Sequence, residues 1–306
     1  MNLFDTKAKF QAGSITKAQY IDEMHAIHRY LFDYADFVGA TDIATIEITA
    51  NQVVMISRSS GCKIVCDRFN KRIAPLEILN FGAYEQTDSD MMFRLIRPGF
   101  EVLDVGANIG WYALKIANIS GAAHVWAFEP VPETFAALQA NIALNQLDNI
   151  VAYNLGFSDH VGEVMFYFPP GGADNASAAN LSERSDAQSV RCQLTTLDDF
   201  VAGNSLHVDF IKCDVEGAEL FVFKGAINTL RQCRPIIYTE MLRKWAAKFQ
   251  YHPNEIIELL VGLGYRCFTA KADRLVEFYK MDEATVETNF FFLHATQHAT
   301  EIGQWS

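Results

Sequence analysis

The chain has 306 residues, half of them hydrophobic, and a formal net charge of -12. That length suits one large domain, or one domain with an appendage, around a sizeable core. The acidic balance excludes non-specific nucleic-acid binding, which needs clustered Lys and Arg, and argues against docking on an anionic membrane surface.

Residues 1–13 carry no apolar signal-peptide core, and no run approaches transmembrane length, so the expectation is a soluble, cytoplasmic protein without membrane insertion. Residues 16–38 read as an amphipathic helix. Thr16 and Gln19 form its capping box, with Ile15 and Tyr20 as the staple. Tyr20, Met24, Ile27, Leu31, Tyr34 and Val38 follow in steps of four and three. This stripe reads first as packing on the chain's own core, and second as a homodimer seam. From Thr41 to Asp67 three short β-runs are separated by Asn51-Gln52 and Ser59-Ser60-Gly61, a small meander. Cys62 and Cys66 lie in it at C-x-x-x-C spacing without a second pair to complete a zinc site. They read as small buried hydrophobes, and no metal is expected. A helical stretch near Pro75 follows, then Phe81-Gly82-Ala83-Tyr84-Glu85 and a helix to about Ile96. Residues 1–80 are expected to form an extension and residues 81–306 the main domain.

Beyond residue 100 strands alternate with helices, the pattern of a parallel α/β sheet. Strands are predicted at 101–105, 124–128, 150–155, 163–168, 208–213 and 235–239. Helices are predicted at 110–118, 132–145, 217–231 and 253–262, and closing strands at 265–270, 275–279 and 289–294. Residues 169–188 are polar and small, a long loop that reads equally as a binding lid or as plain surface.

The chemistry begins at Val102-Leu103-Asp104-Val105-Gly106-Ala107-Asn108-Ile109-Gly110. An apolar strand enters a tight glycine turn, and a helix follows. The next strand ends in Glu129, nineteen residues after Gly110. A glycine turn after one strand and a carboxylate after the next is how an α/β sheet holds an adenosine-containing cofactor. Gly106 and Gly110 let backbone approach the ligand. Glu129 offers two acceptor oxygens to two ribose hydroxyls; a competing role is a helix N-terminal charge. The spacing is G-x-x-x-G rather than G-x-G-x-x-G, which favours S-adenosylmethionine, a cofactor without phosphates, over a dinucleotide. Asp104 is placed to face the cofactor's ammonium, and Asn108 is a turn-former and a candidate contact.

Asp214, Glu216 and Glu219 fall where the fourth strand ends, the side on which open α/β sheets bind ligands. Asp214 is the first candidate for a general base and Glu216 the second, with N-capping the competing role for Asp214. Glu240, after the fifth strand, is a candidate to bind acceptor hydroxyls. Glu219 reads as a helix-face charge and Lys212 as alternating outward on its strand. The histidines form no ligand pair.

Together with Phe128-Glu129-Pro130, Gly156-Phe157-Ser158-Asp159, Leu197-Asp198 and Ile211-Lys212-Cys213-Asp214-Val215-Glu216-Gly217-Ala218-Glu219, the glycine motif resembles the FkbM family of methyltransferases. Gly82-Ala83-Tyr84-Glu85 and Tyr238-Thr239-Glu240 resemble it too. The resemblance runs from about residue 80 to 294, and its most specific part is the Asp-Val-Glu-Gly-Ala-Glu motif. It implies a Rossmann-like class I methyltransferase fold: a mostly parallel seven-stranded sheet, one strand antiparallel, with helices on both faces. It also implies S-adenosylmethionine as donor and O-methylation of a small-molecule or glycan acceptor, a sugar or secondary metabolite. Glu85, Pro130, Ser158 and Asp159 join the expected cofactor contacts on that basis, Asp159 with adenine; a turn Asp is the competing role. Two other readings are a nicotinamide-dependent Rossmann oxidoreductase and a catalytically silent partner protein of the same fold.

Overall fold

The structure is a computed structural model that describes residues 2–119, 123–168, 177–178 and 187–306. It opens with α1 (Leu3–Gln11), α2 (Lys17–His28) and α3 (Tyr30–Val38). Thr16 and Gln19 make the expected capping box, each side chain accepting the other's backbone N–H. The single helix predicted over 16–38 is interrupted at Arg29. The stripe does not enter the chain's own core. Neither α2 nor α3 buries a residue, and Leu31 and Tyr34 are 55% and 48% exposed. Of the stripe, Val38 packs on the core, while Tyr20 stacks on Phe10 of α1 with ring centroids 4.4 Å apart. The physical reason is position: these helices pack chiefly on one another and on the meander, away from the main sheet.

The meander is as expected, β1 (Ile43–Ile48), β2 (Val53–Ser57) and β3 (Lys63–Cys66), antiparallel in chain order. Helices α4 (Ala74–Phe81), with Pro75 in its first turn, and α5 (Gln86–Leu95) lead into the main sheet. Then follow β4 (Glu101–Val105), α6 (Trp111–Ile119), β5 (His124–Phe128), α7 (Pro132–Asn145) and β6 (Ile150–Tyr153). Asn141 and Asn145 of α7 use their amides to satisfy backbone groups of Lys63 and Val65 at the edge of β3, at 2.7–3.0 Å. That closes an edge that would otherwise present unpaired strand groups.

A side sheet comes next: β7 (Gly156–Phe157), β8 (Gly162–Phe168) and β9 (Gln188–Thr195), ordered β7-β9-β8. The strand predicted at 163–168 therefore belongs to this sheet and not to the main one. The chain continues through α8 (Leu197–Gly203), β10 (Phe210–Cys213), α9 (Glu219–Lys224), α10 (Ile227–Gln232), β11 (Ile236–Glu240), α11 (Arg243–Ala246) and α12 (Asn254–Gly262). It closes with β12 (Tyr265–Lys271), β13 (Arg274–Glu277), β14 (Asn289–His294) and α13 (Ala299–Trp305). The helix predicted over 217–231 is two helices, divided at Gly225. A Cβ there would sit 2.1 Å from the Ser158 carbonyl oxygen, so the chain passes too close for any side chain.

The main sheet has eight strands in the order β13-β12-β14-β11-β10-β4-β5-β6. From β11 to β6 all neighbours are parallel, and β14 runs antiparallel between β11 and β12. This is the mostly parallel α/β sheet expected, with β13 added at the edge by a two-residue hairpin. Ala272 takes the left-handed conformation that such a tight turn requires, φ 56°. The central strands are buried on both faces, as parallel strands under helices must be. One core holds Val102, Ala113, Ile116 and Phe291; the opposite one holds Leu103, Ile211, Leu230 and Phe292.

Candidate active site

A cavity of about 580 Å³ opens at the carboxyl ends of β4, β5 and β10. Its floor is the Gly106–Gly110 turn. Gly106 has φ 78°, and a Cβ on it would lie 1.8 Å from the Asp214 carbonyl oxygen. The turn is thus pressed against the end of β10, and only glycine fits. Backbone N–H groups of Gly106 and Ala107 both donate to the Phe128 carbonyl, at 3.0 and 2.9 Å, which ties the turn to the end of β5. Asn108 is left-handed at φ 51°, and its side chain accepts the Ile109 N–H at 2.7 Å.

Glu129 is buried on the cavity wall. Its Oε2 accepts the Asn108 N–H at 3.1 Å, and its Oε1 accepts the Val131 N–H at 2.9 Å. The second bond reaches the N-cap of α7, so the competing helix N-terminal role is present in the structure. A carboxylate has about four lone-pair sites, and these two bonds leave capacity for two more. Burial pushes the Glu129 carboxyl up to about 7, against the pull of the two backbone N–H groups. Pro130, Ser158, Asp159 and His160 line the same wall. Ser158 Oγ and His160 Nδ1 both reach Asp159 Oδ1, at 3.3 and 2.7 Å. Burial works against the Asp159 carboxylate, but these partners outweigh it and hold its pKa below the usual value.

Asp104 lies beneath the cavity floor, fully buried, and is not among the lining residues. Its partner is Lys212, with Nζ 3.2 Å from Oδ1. Lys212 does not alternate outward as expected. It is buried, lines the cavity, donates to the Gly106 carbonyl at 2.8 Å and stands 3.7 Å from Asp214 Oδ2. Burial opposes its charge, yet Asp104 and Asp214 outweigh that and hold the ammonium above the usual lysine range. A signal for it was present: a lone Lys in an apolar central strand has no polar face to seek, so it needs a buried partner.

Asp214 and Glu216 line the cavity, as sequence reasoning proposed. Glu216 is left-handed, φ 54°, and its carbonyl accepts Ser177 Oγ at 3.0 Å. Ser177 and Ala178 are the described residues of the 169–188 stretch apart from its last two; the rest of that loop lies outside the described residues. Glu219 is not the helix-face charge expected. It is 2% exposed and accepts N–H groups of Val215 and Gly217 at 3.1 and 3.0 Å and the Tyr251 hydroxyl at 3.2 Å. The Asp-Val-Glu-Gly-Ala-Glu segment therefore folds around its own last carboxylate, which burial raises to about 7.

Glu85 and Glu240 stand behind the wall, outside the lining. Glu85 accepts the Tyr112 hydroxyl and, at 3.1 Å, the Asn289 amide. Glu240, at the end of β11, is pushed up to about 10 by burial and then by Asp214, Glu216 and Glu85. Tyr84, which lines the cavity, feels burial first and then the charges of Glu85, Asp214, Glu240 and Glu216, all of which hold its hydroxyl protonated. Sequence reasoning missed Tyr84 as a wall residue, and also Trp111, Phe221 and Phe249, which give the cavity its apolar character.

Residues 104–267 match the family described as the methyltransferase FkbM domain. The chain belongs to the FkbM family of methyltransferases. Among its relatives, 2-O-methyltransferase NoeI of Sinorhizobium fredii is 30% identical over 54% of this chain and 73% of that protein. Hexuronic acid methyltransferase AglP of Haloferax volcanii is 32% identical over 44% of this chain and 53% of that one. Among the relatives it matches, the chain spans from 8% to 73% of their length. The solved methyltransferase FkbM of Methylobacillus flagellatus KT is 17% identical, with a TM-score of 0.45 over 74% of this chain and 55% of that one. Methyltransferases of this family use S-adenosylmethionine, and the match favours that cofactor over a nicotinamide. The residues present fit that cofactor: the backbone of residues 106–109 lines the cavity, and buried Glu129 on the same wall keeps spare acceptor capacity. Glu129 would hold the ribose, and the Gly106–Gly110 turn the amino-acid end. Among the described residues no helix is long and apolar enough to cross a membrane.

Proposed function

We propose that this FkbM-family protein is an O-methyltransferase whose acceptor is a hydroxyl of a sugar, a polysaccharide or a secondary metabolite. The observation that carries this reading is the pair Asp214 and Glu216 on the cavity wall, beside the point where the Gly106 turn meets the end of β10. When bound, S-adenosylmethionine supplies a methyl group made electrophilic by its sulfonium. The protein's task is to orient the acceptor oxygen, exclude water and take the hydroxyl proton. A sugar hydroxyl is a weak nucleophile, so a carboxylate that accepts its proton as the new bond forms lowers the barrier. Asp214 is assigned that role first and Glu216 second. Glu240, behind the wall and held protonated at neutral pH, is not assigned proton removal. Phe221, Phe249 and Ile73 supply an apolar wall that keeps water out. The relatives NoeI, a 2-O-methyltransferase, and AglP, a hexuronic acid methyltransferase, favour a carbohydrate among these acceptors.

The test is transfer of labelled methyl from S-adenosylmethionine to a panel of glycans and hydroxylated natural products, with the labelled atom located by mass spectrometry. Label on a hydroxyl oxygen supports the reading; label confined to nitrogen or carbon overturns it. On the acceptor so found, Asp214→Asn is expected to lower kcat at least about tenfold, the low end for loss of a general base. Full turnover in that variant removes Asp214 from the base role.

A further inference from the structure

We propose that Trp111 is a cofactor-binding residue, its indole N–H receiving the α-carboxylate at the amino-acid end of S-adenosylmethionine. The inference rests on the reading of this cavity as the cofactor site. Trp111 is the first residue of α6, directly after the Gly106–Gly110 turn, and is one of the residues that line the cavity. It is 5% exposed, and its Nε1 is buried without a hydrogen-bond partner. An indole N–H can only donate, so nothing but an acceptor satisfies it. Nearby acceptors have other donors, and none takes the indole N–H. The Gly106 carbonyl takes Lys212, the Ala107 carbonyl takes the Gly110 N–H, and Glu129 holds Asn108 and Val131. A buried donor left unmet on a cavity wall marks a place where a ligand acceptor belongs.

Charge says which acceptor. The wall beyond the turn carries Asp214 and Glu216, which suit an ammonium and repel a carboxylate. Of the cations, Lys212 and Arg72 line the cavity, and Lys115, outside the lining, has its Nζ 5.0 Å from the centre of the Trp111 ring. An α-amino acid is a zwitterion, and this arrangement matches its two ends: carboxylate toward Trp111, ammonium away from it on the acidic side of the cavity. The ribose and adenine are served by Glu129 and the Ser158–Asp159 wall, so the tail carboxylate is the cofactor's strong acceptor left for Trp111.

The test needs no methyl acceptor. The protein has four tryptophans, so ¹⁵N-tryptophan labelling gives four indole correlations, and Trp111→Phe identifies the one lost. S-Adenosylhomocysteine is expected to shift the Trp111 indole signal downfield. 5′-Methylthioadenosine, which has the nucleoside but no amino-acid tail, is expected to leave it within a small fraction of that shift. By calorimetry, Trp111→Phe is expected to weaken S-adenosylhomocysteine about tenfold, the loss of one hydrogen bond to a charged group, and 5′-methylthioadenosine less than about twofold. The assignment is overturned if the indole signal ignores S-adenosylhomocysteine, if both ligands move it alike, or if the variant weakens both equally. Should Trp111→Phe fail to fold, phenylalanine replacement of the other three tryptophans assigns the signal by elimination, and the wild-type titration decides. If neither ligand binds the folded protein, the cofactor reading of the cavity itself fails, and this assignment with it.

Discussion

Cofactor affinity should fall as pH is lowered through about 7, with Glu129 as the cause. In the free protein burial raises this carboxyl from 4.5 to about 7. The sign follows from linkage. Because the folded-state value lies above the unfolded one, the free protein is progressively penalised as pH rises from about 4.5 to about 7, by about 3 kcal/mol in all. Ribose hydroxyls bond more strongly to the charged form than to the neutral one, so tight binding favours loss of any proton Glu129 holds. Affinity is therefore full above about pH 8, roughly tenfold weaker at pH 6, and levels off near the roughly thirtyfold loss of a neutral acceptor by about pH 5. Glu129→Gln removes both the charge and the titration. It should bind about 2 kcal/mol more weakly at pH 8, roughly thirtyfold, because bonds to a charged acceptor become bonds to a neutral one. Below pH 7 its affinity should stay level. Calorimetric titration of S-adenosylhomocysteine into both proteins from pH 5.5 to 8 measures this. The reasoning is refuted if wild-type affinity is flat across that range, or if Glu129→Gln keeps the wild-type slope.

Gly106→Ala should abolish cofactor binding and lower Tm, because the new Cβ would meet the Asp214 carbonyl at 1.8 Å in a backbone conformation of φ 78°; calorimetry and thermal melts report both. Glu219→Ala should destabilise the protein by about 3 kcal/mol or more in urea unfolding, since it strands the N–H groups of Val215 and Gly217 and the Tyr251 hydroxyl. Glu240→Gln should leave stability at pH 7 within about 0.5 kcal/mol of wild type. That carboxyl is already protonated below about 10 and amide and acid are nearly isosteric; equal unfolding midpoints at pH 7 check it.

Much of this protein is written locally. The Gly106–Gly110 turn, Glu129 at the end of the next strand and the alternation of strands and helices after residue 100 follow from spacing alone. A tight turn needs positive φ, and a parallel sheet sets its strand ends side by side. The meander and the capping box at Thr16 and Gln19 are equally short-range. The tertiary structure decided what depends on partners far along the chain. Lys212 is buried because parallel pairing sets it opposite Asp104, more than a hundred residues earlier, and a strand's own pattern cannot say which residue faces it. Glu219 becomes a structural acceptor only because Tyr251 and two neighbouring N–H groups converge on it. Gly225 divides a predicted helix because Ser158 passes against it. The helical stripe of residues 20–38 shows the same limit from the other side. Periodicity specifies an apolar face, but whether the core reaches that face is settled by where the rest of the chain goes.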